Sequence, residues 1–199
     1  QLGMIATDKT QASYQTIMEL LAVKKTSADS PFSLFYKLYD SLALTSTMYP
    51  GILEYLRDTM MNFSIVSLTK TMIDSNHIAP AVLLPVKSVL LDLARKERSR
   101  LLKGNLDNTG NLPDLVELLG LLQQKEADEM IAGFLKTSDI PTRKSAVLAL
   151  LRNKKTVSGG VITAIANDLE HRVEFFTALK NLQKENLFPA EHRSQVDFA

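Results

Sequence analysis

Cysteine is absent from this 199-residue chain, and its absence excludes several kinds of chemistry. Disulfides, thiol nucleophiles, iron–sulfur clusters and cysteine-based zinc sites all require it. The missing cysteine does not decide between the cytoplasm and the periplasm, so the localisation stays open.

Excess charge and long apolar runs are also missing. The formal net charge of +1 is too small to attract nucleic acid without regard to sequence. Polar residues interrupt the apolar runs, as in "AVLLPVKSVLLDLA", and a bilayer requires about 20 apolar residues in succession. The first residues, "QLGMIATDKTQAS", lack the basic start and apolar core of a signal peptide. We therefore expect no membrane insertion, and we expect the chain to be part of a larger protein.

Apolar residues recur at spacings of three and four along most of the chain, which predicts an all-α fold. Helices are predicted over 14–25, from Ser30 onward, over 60–75, and from Pro85 to Gly104. The sequence "YPG" at 49–51 is expected to end the second of these, before a short helix in "GILEYL".

The stretch "NLDNTGN" at 105–111 is dense in Asn, Asp and Gly, a composition typical of loops. It predicts a boundary between two subdomains. Residues 1–104 would form an irregular α-helical subdomain, and residues 105–199 would form a helical-repeat subdomain.

Two stretches of the second half repeat each other. "DIPTRKSAVLALL" at 139–151 and "DLEHRVEFFTALK" at 168–180 share the Asp, the Arg and an Ala-Leu pair, and "GNLPDLVELLGLL" at 110–122 is a partial third copy. A small residue in each copy predicts a close approach of stacked helices, since only a small side chain fits there: Gly120, Ala149 and Ala178.

This pattern resembles a HEAT-like repeat over residues 110–182. The outer helices would be "ADEMIAGFLKT" and "VITAIAN", and each inner helix opens near an Arg after an Asp-containing turn. Phe175 and Phe176 replace small residues, as expected near the end of a stack. The resemblance implies a short right-handed α-solenoid in which four turn residues stack as a structural ladder: Asp139, Arg143, Asp168 and Arg172.

A second resemblance concerns the order of elements. "YDSLALTSTMYP", a long helix opened by proline and a repeat tail are similar to the helical extension of some large bacterial TraB/GumN-like proteins. This resemblance implies an accessory helical region of a larger hydrolase-like enzyme.

Catalytic and metal-binding patterns are weak. Glu170, His171 and Glu174 have the spacing of a helical metal site, but no second His–carboxylate pair completes it, so a solvated turn is favoured. His77 and His192 have no partner nearby in sequence. No G-x-S-x-G elbow is present, and "VSGG" lacks the remainder of a phosphate-binding motif. We expect no enzyme activity, no metal and no cofactor.

Two further clusters have competing interpretations. The basic run "LARKERSRLLK" could follow a phosphate backbone, as in HEAT-like DNA-repair glycosylases, but a charged helix face is favoured: Arg95, Lys96, Arg98, Arg100 and Lys103. Five clustered aromatic residues are assigned to core packing in preference to an interface: Phe32, Phe35, Tyr36, Tyr39 and Tyr49.

The leading hypothesis is a non-enzymatic interaction or scaffold domain. Its inner helices would present four residues to a protein partner or to another domain of the same chain: Lys144, Leu148, Glu174 and Lys180. The alternatives are an accessory region of a larger enzyme and, less favoured, a nucleic-acid-binding repeat.

Overall fold

The computed structural model describes residues 12, 16, 49–59, 61–107 and 109–196. These residues form helices and turns without any β-strand, which confirms the predicted all-α class. The predicted helices at 14–25 and after Ser30 lie outside the described residues, apart from Thr16, which is helical. Four of the five clustered aromatic residues also lie outside them: Phe32, Phe35, Tyr36 and Tyr39.

The chain divides into two compact units, Gln1–Val89 and Leu90–Ala199. This division falls inside a helix, earlier in the sequence than the loop at 105–111 where the subdomain boundary is predicted.

The described part of the first unit consists of helices that bury apolar side chains. Its elements, continuing to the helix that spans the division, are α1 (Tyr49–Leu53), a 3₁₀ helix (Glu54–Arg57), α2 (Asn62–Asp74), a 3₁₀ helix (Pro80–Val86) and α3 (Lys87–Leu102). The helix predicted over 60–75 is confirmed as α2, and its apolar stripe is buried: Met61, Ile65, Leu68 and Met72.

Pro50 lies in the first turn of α1, where its missing N–H would have had no helical partner. The "YPG" sequence therefore begins a helix.

The second unit continues from α3 with paired helices. Its further elements are α4 (Leu112–Leu121), α5 (Lys125–Phe134), α6 (Ile140–Arg152), α7 (Gly159–Ala166), α8 (Arg172–Asn181), a 3₁₀ helix (Glu185–Leu187) and α9 (Ala190–Val196). Helix α6 packs against α4, α5, α7 and α8. The predicted outer helices are present as α5 and α7, and the predicted inner helices as α6 and α8.

The close approach expected at Gly120 occurs between α4 and α6. A Cβ atom added to Gly120 would lie 2.8 Å from the Cβ of Ala149, which is closer than two carbon atoms can pack. The small residues at these two positions therefore allow the two helices to touch.

An apolar cluster holds α6, α7 and α8 together. Its fully buried members include Phe175 and Phe188, whose ring centroids are 6.2 Å apart. Phe176 packs on Phe188 from a second direction, at 5.0 Å between centroids. Phe188 follows the last 3₁₀ helix and closes the cluster, which the repeat pattern did not predict.

Several helices end in the same way, with a residue in the left-handed region. Gly104 has a φ of 81°, which confirms its predicted place beyond the end of α3. The ends of α4, α6 and α8 place Gln123, Lys154 and Gln183 at φ values of 51°, 59° and 57°. Side chains are uncommon in this conformation, so these three turns share a specific geometry.

Candidate interaction surface

The repeated aspartates lie in the turns before the two inner helices. Asp139 caps α6, where its Oδ2 accepts a hydrogen bond of 2.9 Å from the amide of Thr142. Asp168 Oδ1 accepts one of 3.0 Å from the amide of His171, also three residues later. Each side chain thereby satisfies an amide that no helix carbonyl can reach.

The repeated arginines connect each inner helix to the end of the outer helix before it. Arg143 donates from Nη2 to the carbonyl of Thr137, and Arg172 donates from Nε to the carbonyl of Ala166 at 2.6 Å. Both carbonyls lie six residues before their arginine. These Asp and Arg contacts are local to each turn, and the stacking of the four residues between turns stays a prediction.

His171 makes the second turn electrostatically different from the first. Its Nδ1 lies 2.8 Å from Asp168 Oδ1. This side-chain hydrogen bond is the main cause that lowers the pKa of Asp168, and the amides and charge of neighbouring residues act in the same direction against a smaller opposing effect of burial.

The three histidines all have polar neighbours. Besides His171, His192 Nε2 lies 2.7 Å from Asn167 Oδ1, and His77 Nδ1 lies 2.7 Å from Ser75 Oγ. Within the described ranges, no group of three His, Asp or Glu side chains is arranged to hold a metal ion.

The four residues predicted to face a partner divide into two pairs. Lys144 and Leu148 are only 8% and 9% exposed, whereas Glu174 and Lys180 are exposed. Leu148 belongs to the apolar cluster, and Lys144 Nζ lies 2.5 Å from Glu174 Oε2 on the neighbouring inner helix. The prediction that Lys144 and Leu148 are presented to a partner is therefore corrected: both lie in contacts within the second unit.

Polar contacts join α6 to both of its inner neighbours. Ser145 Oγ lies 3.1 Å from Glu117 Oε1 on α4, next to the Lys144–Glu174 contact with α8. These pairs span intervals of 28 and 30 residues, close to the period of the sequence repeat.

Asn153, which the sequence did not single out, joins three helices. Its Nδ2 donates to the carbonyl of Gly120 at 3.0 Å and to Asp128 Oδ1 at 2.8 Å. Lys155 Nζ lies 3.1 Å from the other oxygen of Asp128. The end of α6 is thus attached to the end of α4 and the start of α5.

An exposed apolar pair lies on and just before α8. Leu169 is 80% exposed and Val173 is 36% exposed. With Glu174, Thr177 and Lys180, which are also exposed, they form a surface that we call the α8 face. Helical spacing places it away from the buried stripe of α8, and the sequence prediction included only its two charged residues.

The basic run on α3 is engaged in contacts within the second unit. Arg95 pairs with Asp92 at 2.5 Å, and Arg100 pairs with Glu97 at 2.6 Å. The same Arg100 also donates to the carbonyl of Asn105 at 3.1 Å, so it holds the loop that follows the helix.

Arg98 of the same run lies against α5. A Cβ atom added to Gly133 would be 2.5 Å from Arg98 Nη1, so the glycine makes room for the guanidinium. Two of the five cations, Arg95 and Arg100, thus have polar partners inside the protein, and Arg98 packs against a glycine. The choice between a charged helix face and a phosphate track stays a prediction.

None of the described helices is both long and apolar enough to cross a membrane. The chain matches no protein-family model, no curated protein and no solved structure.

Proposed function

We propose that this protein is a non-enzymatic helical-repeat interaction module, and that the α8 face binds a protein or another domain of the same polypeptide. The observation that carries the proposal is the 80% exposure of Leu169. Burying a leucine side chain in an interface contributes about 1.5–3 kcal/mol to the free energy of binding. The protein gains this contribution only when a partner covers Leu169.

The composition of the α8 face supports this proposal. Its apolar pair, Leu169 and Val173, lies beside two charged residues, Glu174 and Lys180. Protein interfaces combine an apolar centre with a polar rim in this way. Lys144 holds Glu174 from inside the protein, so the carboxylate is already oriented before a partner arrives.

The repeat provides a rigid support for that face. Asp168 and Arg172 connect the start of α8 to its turn and to the end of α7, and Asp139 and Arg143 make the corresponding contacts for α6. Matching contacts in consecutive turns support the HEAT-like interpretation, since such repeats position exposed residues on regularly spaced helices.

The substitution Leu169→Asp tests the proposal. A partner would first be identified by co-purification with the wild-type protein, and binding would then be measured by calorimetry with both purified components. We expect the substitution to weaken binding at least about tenfold, or about 1.4 kcal/mol, because it places a charge in the apolar centre.

Leu84→Asp provides the matched control, because Leu84 is also an exposed leucine (53%) but belongs to the first unit. It should leave the affinity unchanged. Loss of binding in the Leu84 variant, with full binding retained in the Leu169 variant, would contradict the assignment. Melting curves of both variants would show that each remains folded.

A further inference from the structure

A cleft of about 320 Å³ lies between the turn after α6 and the segment after α8. We propose that it binds an acidic peptide segment that carries an apolar side chain. Its lining includes three cations and three apolar residues: Lys154, Lys155, Lys184, Leu151, Val157 and Leu187. The cleft shares no residue with the α8 face, so this inference and the proposed function can fail independently.

The charge of the cleft has one sign. No carboxylate is among its lining residues. Lys155 pairs with Asp128 behind it, whereas the ammonium groups of Lys154 and Lys184 are exposed and make no hydrogen bond or ion pair with the described residues. Two free cations therefore remain to attract acidic side chains, whose electrostatic complementarity would orient the segment.

Stabilisation of the helix ends does not account for these lysines. Lysine near a helix C-terminus interacts favourably with the helix dipole, and both Lys154 and Lys184 lie just beyond a helix. However, α4 ends with the same left-handed turn, and Gln123 and Gln124 occupy its corresponding positions. Of the three helix ends with a non-glycine residue in this turn, those of α4, α6 and α8, only the two that border the cleft carry lysine at these positions.

The apolar side of the cleft explains why the ligand needs more than charge. Leu151 is buried at its base, Val157 is half-buried, and Leu187 is 38% exposed. A free inorganic anion would leave this surface in water. The volume is at the lower end for small-ligand sites, which suits one apolar side chain with its adjacent backbone.

The test uses the whole protein and a short fluorescent peptide with a central leucine flanked by glutamates, followed by fluorescence anisotropy. We expect this peptide to bind at least about tenfold tighter than a peptide with glutamines in place of the glutamates. Replacing its leucine by alanine should also weaken binding. Added salt should reduce the affinity, because exposed charges are screened.

Charge reversal locates the site on the protein. Lys154→Glu and Lys184→Glu should each weaken binding of the acidic peptide at least about tenfold. The matched control is Lys136→Glu, which makes the same charge change at an exposed position before α6 and should have little effect.

Four results would overturn the proposal. Equal binding of the glutamine peptide would show that binding does not depend on charge. Equal effects of all three lysine variants would show that the peptide does not bind in the cleft. If inorganic phosphate or free glutamate displaced the fluorescent peptide at the same concentration as the unlabelled peptide does, the cleft would be a site for small anions. Competition by a single-stranded oligonucleotide at lower concentrations than the peptide would assign the cleft to nucleic acid.

Discussion

A single aspartate has two roles at the start of α8. The carboxylate of Asp168 accepts the amide hydrogen bond of His171, which any good capping residue would do, and it also bonds the ring of His171 at 2.8 Å. Asparagine at this position would keep the capping oxygen but would lose the charge. The substitution Asp168→Asn therefore separates the two roles.

The charged role predicts a pH-dependent stability. Because the folded state lowers the pKa of Asp168, its charge stabilises the fold above the ordinary pKa of 3.8, and this contribution is lost as the pH falls through the folded value. We expect Asp168→Asn to lower the melting temperature near neutral pH, with a difference from wild type that shrinks toward pH 3. Melting curves from pH 3 to 7 would measure it.

His171→Ala is the companion variant, since it removes the main cause of the lowered pKa of Asp168. The two substitutions together should cost less than the sum of their separate costs. A constant difference between wild type and Asp168→Asn at every pH would show that the carboxylate acts only as a cap.

The repeated arginines show which features of single residues the sequence could predict. The repeat predicted a structural role for Arg143 and Arg172. An arginine side chain can reach many backbone carbonyls, however, and the amino-acid sequence does not specify which of them it binds. The observed partners, the carbonyls of Thr137 and Ala166, depend on how each outer helix ends. That information comes from packing and not from the repeated residues.

At the scale of helices, Gly120 controls how closely α4 and α6 pack. We expect Gly120→Ala to reduce the free energy of unfolding by about 1–2 kcal/mol, because the cost of overpacking exceeds the gain in helix propensity. The added Cβ would otherwise lie 2.8 Å from that of Ala149. Urea denaturation would measure the change.

Two variants make this prediction specific. In the background Ala149→Gly, the same Gly120→Ala substitution should cost less, because the opposing Cβ is gone. Gly160→Ala in α7 is a matched glycine substitution with open space around it, and it should not destabilise the protein. An equal loss in Gly120→Ala and Gly160→Ala would show that the contact is unimportant.

Burial along the inner helices was harder to predict than the helices themselves. Apolar spacing predicted the bounds of α2, α5 and α6 closely, and α2 and α5 each bury one apolar stripe. Helix α6, however, is surrounded by four other helices, so a face that the pattern left to solvent is covered. Lys144 is buried, with its apolar stem in the packed region and its ammonium group in contact with Glu174. The apolar pattern of a single helix does not predict such burial.

At the scale of the whole molecule, two boundaries compete. Composition predicts a division at residue 104, because the following loop is rich in turn-forming residues, whereas spatial contacts divide the chain at Val89 and Leu90. The contacts of α3 explain the difference. Arg98 lies against Gly133 of α5, and Arg100 holds the carbonyl of Asn105, so the loop is attached to the helix before it.

Two fragments distinguish these boundaries. Residues 87–199 retain all of α3, whereas residues 105–199 lose it together with the partners of Gly133 and Asn105. If α3 belongs to the second unit, its loss should cost at least about 2 kcal/mol. That cost corresponds to a melting temperature roughly 10 °C lower for a fragment of this size, measurable by circular dichroism. Equal melting temperatures would instead support a boundary at residue 104, with α3 contributing little to the repeat it precedes.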